Sequence, residues 1–165
     1  REVVKQEETI GAKPASNTLA VLYFNNKTGL SDLDILRKGL TIVLMTYLSK
    51  VKEIQLVEGV KVQALTEELE FGETGIVAAE NMPMVGRLLG AAHLVGGDIL
   101  MQELNQFQLQ ADLLKVPTKT IFGNAKVQGK LIDDFFLMEK SLLLYVIGKK
   151  SYNLKIFIKK THHFL

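Results

Sequence analysis

The stretch Leu19-Ala-Val-Leu-Tyr-Phe24, with the helical pattern that follows it over residues 32–50, decides the fold of this chain. The six residues are apolar and lie between polar pairs, which is typical of a strand buried on both faces. In the next segment, apolar residues recur every three or four positions and form a wide stripe, which indicates a helix that packs against more than the sheet. The residues of this stripe are Leu33, Ile35, Leu36, Leu40, Ile42, Leu44, Met45, Tyr47 and Leu48. Ser31, followed three positions later by Asp34, is predicted to cap this helix.

The remaining patterns extend this unit to an α/β fold. Strands are predicted at residues 54–57, 92–102, 106–113 and 120–128, and helices at residues 59–71, near Pro83 up to Leu89, and from Asp133 onward. The last three strands follow one another closely and form an antiparallel meander. The prediction is a mixed sheet of about five strands with helices packed on it, ending in a C-terminal helix.

The chain divides into three predicted segments. Residues 1–18 are polar and aperiodic, and are interpreted as a flexible N-terminal arm or tether. Residues 19–148 form a single α/β domain. In residues 149–165, Leu154, Ile156 and Ile158 alternate with Lys155 and Phe157, so this segment is either an added edge strand or a basic tail.

The composition excludes several classes of function. The chain has 165 residues, 47% of them hydrophobic, which is enough for one well-buried core. Its net charge of +2 is too balanced for a nucleic-acid-binding footprint, so no nucleic acid partner is expected. The absence of Cys excludes disulfides and thiolate metal sites. No apolar run approaches the ~20 residues that a membrane-spanning helix needs.

No catalytic, cofactor or metal site is predicted. Gly86, Gly90, Gly96 and Gly97 are predicted to lie in a helix, at its C-terminus and inside the next strand. None precedes a helix, so they are interpreted as a helix stop and close backbone packing, not as a phosphate loop. The glutamates between residues 67 and 73 are interpreted as a solvated helix face. His162 and His163 are adjacent and would point apart in a strand or a helix, and His93 is expected to be half-buried in the core.

The loop at residues 25–31 is the main candidate contact surface, and the helix around Glu67 and the terminal strand are the other candidates. This loop links the buried strand to the start of the long helix, where functional loops of α/β sheets gather. Two interpretations stay open: a surface that receives a partner or an anion, and a polar turn that only caps the helix. The candidate contact residues are Asn25, Asn26, Lys27, Thr28, Gly29 and Ser31.

Four segments together resemble the CsgG-like (curli secretion component) and TolB amino-terminal-like families of bacterial envelope proteins. The first is Leu19-Ala-Val-Leu-Tyr-Phe-Asn-Asn-Lys-Thr-Gly29, followed by Gly39-Leu40 and Leu48-Ser49. The others are Ile54-Gln-Leu-Val-Glu58, the segment from Gly86-Arg-Leu-Leu-Gly-Ala-Ala-His to Ile99, and Asp133-Asp134-Phe-Phe with Glu139-Lys140. The resemblance covers about residues 19–148. In two respects the chain departs from the families: the lipidated Cys of such lipoproteins is absent, and Gly59 stands where they often have Arg.

The resemblance implies a non-enzymatic, periplasmic accessory domain, associated with the outer membrane and acting in secretion or envelope assembly through contacts with envelope or secretion proteins. Membrane association would be expected only through a lipid anchor, which this chain lacks. Pore-forming relatives insert long membrane hairpins, and the chain has no spare pairs of such strands, so a relative without them is expected. Two alternatives stay open: a homo-oligomeric, ring-forming secretion subunit, and a TolB-like small-ligand sensor with a closed apolar pocket.

Overall fold

A computed structural model describes residues 15–68, 79–103 and 105–150. Four predicted features lie wholly or largely outside these residues: the arm up to residue 14, the helix end at residues 69–71, the glutamate face at residues 67–73, and the tail from residue 151, which includes His162 and His163. The rest of the chain follows the predicted order of strands and helices.

The structure is a mixed six-stranded sheet with four helices packed on it, as predicted for an α/β fold. The strands are β1 (Thr18–Val21), β2 (Asn25–Asn26), β3 (Gln55–Leu56), β4 (His93–Glu103), β5 (Gln106–Lys115) and β6 (Thr120–Lys130). The helices are α1 (Asp34–Leu48), α2 (Gly59–Glu68), α3 (Met82–Leu88) and α4 (Leu131–Lys150). Short 3₁₀ turns at Ser31–Leu33 and Ala79–Asn81 precede α1 and α3.

The strand order is β3-β1-β4-β5-β6, with β2 also paired to β4. β1 runs parallel to β3 and β4, and β2 runs parallel to β4. The β4–β5 and β5–β6 pairs are antiparallel, as the predicted meander requires. Consequently β6 has the same direction as β1 and lies at one edge of the sheet.

Each face of the sheet carries its own apolar cluster. On one face, Leu40, Leu44 and Leu48 of α1 and Met138 and Leu142 of α4 pack on the strands. On the other face, α2 and α3 pack on β1, on β4 and on the end of β5. β1 lies between the two clusters, and Leu19, Ala20 and Val21 are fully buried, which confirms a strand covered on both faces.

The sheet has six strands instead of about five because the predicted strand at residues 19–24 is interrupted. β1 ends at Val21, and the Phe24 carbonyl accepts a hydrogen bond from Nε of Arg37 in α1 at 2.8 Å instead of pairing within the sheet. The chain then rejoins β4, where Asn25 lies opposite Asp98. The candidate loop therefore begins inside the sheet as β2.

One prediction about α1 is wrong, and a second is confirmed without two of the residues it named. Ser31 does not cap the helix: it lies inside the 3₁₀ turn, and Leu30 precedes that turn without a side-chain cap bond. α1 does pack against more than the sheet, because it also contacts α4. Ile35 and Ile42 take no part in that packing within the described residues, since they are 77% and 57% exposed. The sheet and α4 bury only the Leu40–Leu44–Leu48 side of the helix, and the apolar residues on its outward side remain in water.

The packing interpretation of the glycines is confirmed. A Cβ on Gly86 would lie 2.4 Å from a methyl carbon of Val116, and Gly90 ends α3 with φ +66°. Gly96 and Gly97 lie in β4, facing Met82 and the β5 backbone respectively. The predicted half-buried core position of His93 is also confirmed, and its ring meets Phe122 edge-on at 5.5 Å.

Candidate functional site

Asn26 is the centre of the loop at residues 25–31. Its Nδ2 donates to the Leu30 carbonyl at 2.8 Å and to Oδ1 of Asp34 at 2.7 Å. Its Oδ1 accepts from the Thr28 backbone N–H at 3.1 Å and from the Thr28 hydroxyl at 2.6 Å. An asparagine amide offers two donors and two acceptor positions, and all four are used here within ten residues. The loop is thus held in one shape by its own side chains.

Thr28 and Gly29 complete the turn. The Thr28 hydroxyl accepts from the Leu30 N–H at 3.1 Å, and Gly29 adopts φ +79°, a conformation that glycine reaches without steric cost. These bonds leave Thr28 buried while Gly29 is exposed. The chain therefore reverses over a few residues before entering α1.

Asp98 of β4 anchors the opposite side of the loop. Its Oδ1 accepts from Asn25 Nδ2 at 2.9 Å, and its Oδ2 lies 3.0 Å from the Lys27 ammonium. The Lys27 side chain is 48% exposed and that of Asp98 19%, so this ion pair is largely screened by water. The Lys27 N–H also donates to the Ile99 carbonyl at 2.8 Å, which continues the pairing along β4.

Helix α1 is bonded to the same strand-loop segment. Besides the Arg37–Phe24 bond, the Thr41 hydroxyl lies 3.0 Å from the Leu22 carbonyl, and Thr41 is fully buried. Burial makes a bond to that carbonyl valuable, because an unsatisfied buried carbonyl costs free energy. The base of the loop is consequently rigid on both its sheet side and its helix side.

The structure separates the six predicted contact residues into two groups. Asn25 and Thr28 are buried and Asn26 is partly buried, and these three support the loop from within. Lys27, Gly29 and Ser31 are exposed at its tip. Sequence reasoning missed Leu30, which is 46% exposed between them, and the two carboxylates that fix the loop, Asp34 and Asp98.

The sequence indicates these three missed residues to different degrees. Asp34 follows the loop closely and was recognised only as a helix-start residue. Asp98 lies 71 residues from Lys27, and no local pattern connects the two. Leu30 gave no signal because an isolated apolar residue at the edge of a loop is equally typical of buried and exposed positions.

The arrangement offers no metal-binding chemistry in the described ranges. Among residues 15–68, 79–103 and 105–150, no group of three His, Asp or Glu side chains converges on a common point. A cleft of about 330 Å³ opens beside His93, with Glu53, Lys115 and Phe122 in its wall. This cleft is open to solvent and lined largely by polar groups.

Within the described residues, no helix combines the length and the apolar character needed to cross a lipid membrane.

Comparisons with known proteins agree with this architecture. The family model of the curli production assembly/transport component CsgG matches residues 4–108. No curated protein sequence is significantly similar to the chain.

Two solved structures have the same fold. The C-terminal domain of LpoB from Escherichia coli superposes with a TM-score of 0.55 at 20% identity, covering 78% of this chain and 93% of that domain. Lipoprotein GNA1162 from Neisseria meningitidis superposes with a TM-score of 0.56 at 10% identity, covering 84% of this chain and 99% of that one. At such low identity these similarities establish the fold alone. The family model, however, spans more than half of the chain, and the chain therefore belongs to the CsgG family.

Proposed function

We propose that this chain is a non-enzymatic accessory domain of the bacterial envelope that acts through protein contacts in secretion or envelope assembly. In this proposal it works in the periplasm beside the outer membrane, as a lipoprotein-type member of its family. Membership of a family described by curli production assembly and transport supports this general role. The fold shared with a protein named as a lipoprotein supports the envelope location.

The observation that carries the proposal is the internally bonded loop at residues 25–31. The Asn26 amide uses all its hydrogen-bonding capacity inside the loop, so little conformational entropy remains to be lost when a partner binds. The tip exposes an apolar side chain, Leu30, three residues from Lys27, whose ammonium is partly exposed and paired with Asp98. An apolar contact on the same loop as a partly exposed cation suits a protein partner with an apolar pocket and an acidic rim.

Site-specific photo-crosslinking in the bacterial envelope tests this proposal. A photoreactive residue replaces Leu30 in one variant and Val60 of α2, which is apolar and 77% exposed, in a matched control. We expect the Leu30 variant to crosslink to one envelope or secretion protein, and a further Lys27→Glu change to weaken that product. Equal products from both positions, or fractionation of the protein into the cytosol, would contradict the proposal. Crosslinks only between copies of the chain would support the ring-forming alternative instead.

A further inference from the structure

The last strand of the sheet, β6, forms one sheet edge over 11 residues. The opposite edge is β3, which has only two residues. An edge strand presents backbone N–H and C=O groups with no strand beside them, and natural proteins usually keep such edges short or cover them. β6 contains no Pro, so each of its residues carries a backbone N–H. This strand therefore has the length and the backbone groups to pair with a further strand.

Asn124 shows which residues of β6 turn their backbone groups outward. Its N–H donates to the Tyr145 hydroxyl of α4 at 2.9 Å instead of to β5. In an antiparallel pair, residues that bond to the neighbouring strand alternate with residues that do not. The register between β5 and β6 has no shift from Asn124 to Lys130. The N–H and C=O groups of Lys126 and Gln128 consequently also point away from β5.

The Tyr145 hydroxyl closes only one position along this edge. It occupies the N–H of Asn124, whereas the outward N–H groups of Lys126 and Gln128 have no partner among the residues that the structure describes. Both residues are exposed. We call the outward N–H and C=O groups of Lys126 and Gln128 the open edge of β6.

The two faces of β6 differ in character. Ala125 and Val127 pack into the apolar cluster that α1 and α4 cover. Lys126 and Lys130 lie on the other face and are exposed, and the residues directly opposite them on β5 are glutamines. Directly opposite side chains on neighbouring strands are close enough to interact. A strand added outside β6 would therefore place its own side chains beside these two lysines.

Charge decides which kind of strand fits. Residues 113–132 contain four lysines and no acidic residue. Opposite charges directly across two strands stabilise the pairing, and like charges destabilise it. A second copy of the chain would bring the same lysines to the contact, and residues 151–165 contain no Asp or Glu. The charge of β6 therefore favours an acidic segment from another protein.

We propose that the open edge of β6 accepts an extended segment of a partner protein as an additional strand. This segment carries two acidic residues four positions apart, beside Lys126 and Lys130, and apolar residues at the positions between them, beside Val127. Backbone hydrogen bonds supply affinity in this mode of recognition, and the side chains supply specificity. The surface is separate from the loop at residues 25–31, because β2 pairs with β4, two strands away from β6.

Synthetic peptides test the proposal on the full chain. The probe is a nine-residue peptide with Glu at its third and seventh positions, Val at the even positions and Thr elsewhere. One derivative is N-methylated at the third, fifth and seventh residues, and a second at the fourth, sixth and eighth, so that each lacks the N–H groups of one edge. An added strand bonds through one edge only. We expect one derivative to bind about tenfold more weakly than the probe in fluorescence anisotropy, and the other to keep its affinity.

Lys126→Glu and Lys119→Glu form the matched pair of protein variants. Lys119 is exposed in the turn between β5 and β6, and the two substitutions change the net charge equally. Lys126→Glu replaces an attraction across the strands by a repulsion, so we expect it to weaken binding of the probe roughly tenfold. Lys119→Glu should change this affinity by less than about twofold. A peptide with Lys in place of both Glu residues should bind the Lys126→Glu variant better than it binds the parent.

Amide hydrogen exchange gives a second measurement. The N–H groups of Lys126 and Gln128 should exchange rapidly in the free chain, and about tenfold more slowly with the probe bound. Failure of the probe to bind, equal affinities of the two methylated peptides, or equal effects of the two lysine variants would overturn the proposal. Protection of these N–H groups already in the free chain would overturn it too, because another segment would then occupy the edge.

Discussion

Gly97 lies in β4, where its backbone packs closely against β5 and against the ring of Phe24. A Cβ at this position would lie 2.0 Å from the Gln110 carbonyl oxygen, 2.7 Å from a ring carbon of Phe24 and 3.0 Å from Cα of Ala111. Two of the three obstacles are backbone atoms in the paired strand. Gly97→Ala can therefore be accommodated only if the strands move apart.

The expected cost follows from this geometry. Overpacking a well-packed core costs typically 1–3 kcal/mol, and backbone obstacles place this substitution at the upper end, at about 3 kcal/mol. For a chain of this size, each kcal/mol shifts the melting temperature by about 2–4 °C. We therefore expect Gly97→Ala to lower the melting temperature by about 6–12 °C.

Gly39→Ala is the matched control. Gly39 lies in the interior of α1 and is exposed, with open space around the new Cβ. Replacing a helical glycine by alanine stabilises by about 0.8–1 kcal/mol, so the same chemical change should have the opposite sign here. Urea unfolding followed by circular dichroism measures both variants. A Gly97→Ala protein within about 0.5 kcal/mol of the parent would refute the packing argument.

Three further predictions concern the loop and the buried carboxyl of α4. Asn26→Ala removes four hydrogen bonds around a partly exposed side chain and should lower the free energy of unfolding by about 2–3 kcal/mol. Thermal unfolding measures this loss, and a decrease as small as that caused by Thr118→Ala, at an exposed position, would contradict the prediction. Lys27→Met breaks the exposed ion pair with Asp98 and should lower the free energy of unfolding by less than about 1 kcal/mol. In urea titrations, the difference in unfolding free energy between this variant and the parent should become smaller at high salt. Burial raises the pKa of Glu139, so its ionised form destabilises the folded chain, and this destabilisation disappears as the pH falls through the raised pKa. Glu139→Gln should therefore raise the melting temperature at pH 8 and lose that advantage in acid; a pH-independent effect would contradict it.

The proposed contact loop at residues 25–31 is fixed by the elements on both sides of it. The loop is bonded to β4 on one side and to α1 on the other, so its tip is as well positioned as a regular element. Unlike Lys27, the tip residues Leu30 and Ser31 are exposed without a part in that anchoring. Substitutions there are expected to alter binding while leaving stability nearly unchanged.

Much of the fold was predictable because its signals are local. The apolar run before Phe24, the spacing of Leu40, Leu44 and Leu48, and the alternation through β5 each report burial within one element. Their order along the chain was sufficient to predict a mixed sheet with helices. The interruption between β1 and β2 was not predictable, because it depends on Arg37 reaching the Phe24 carbonyl from a different element.

The amino-acid sequence by itself determined the elements, their order, the family and the position of the candidate loop, since periodicity and turn residues act over a few positions. Only the tertiary structure decided that Asp98 anchors that loop, that Leu30 stands in water, and that Ile35 and Ile42 face outward. The physical reason is that a side chain's partner is set by which surfaces the sheet and helices bring together. That choice is made between residues far apart in the chain, where local patterns carry no information.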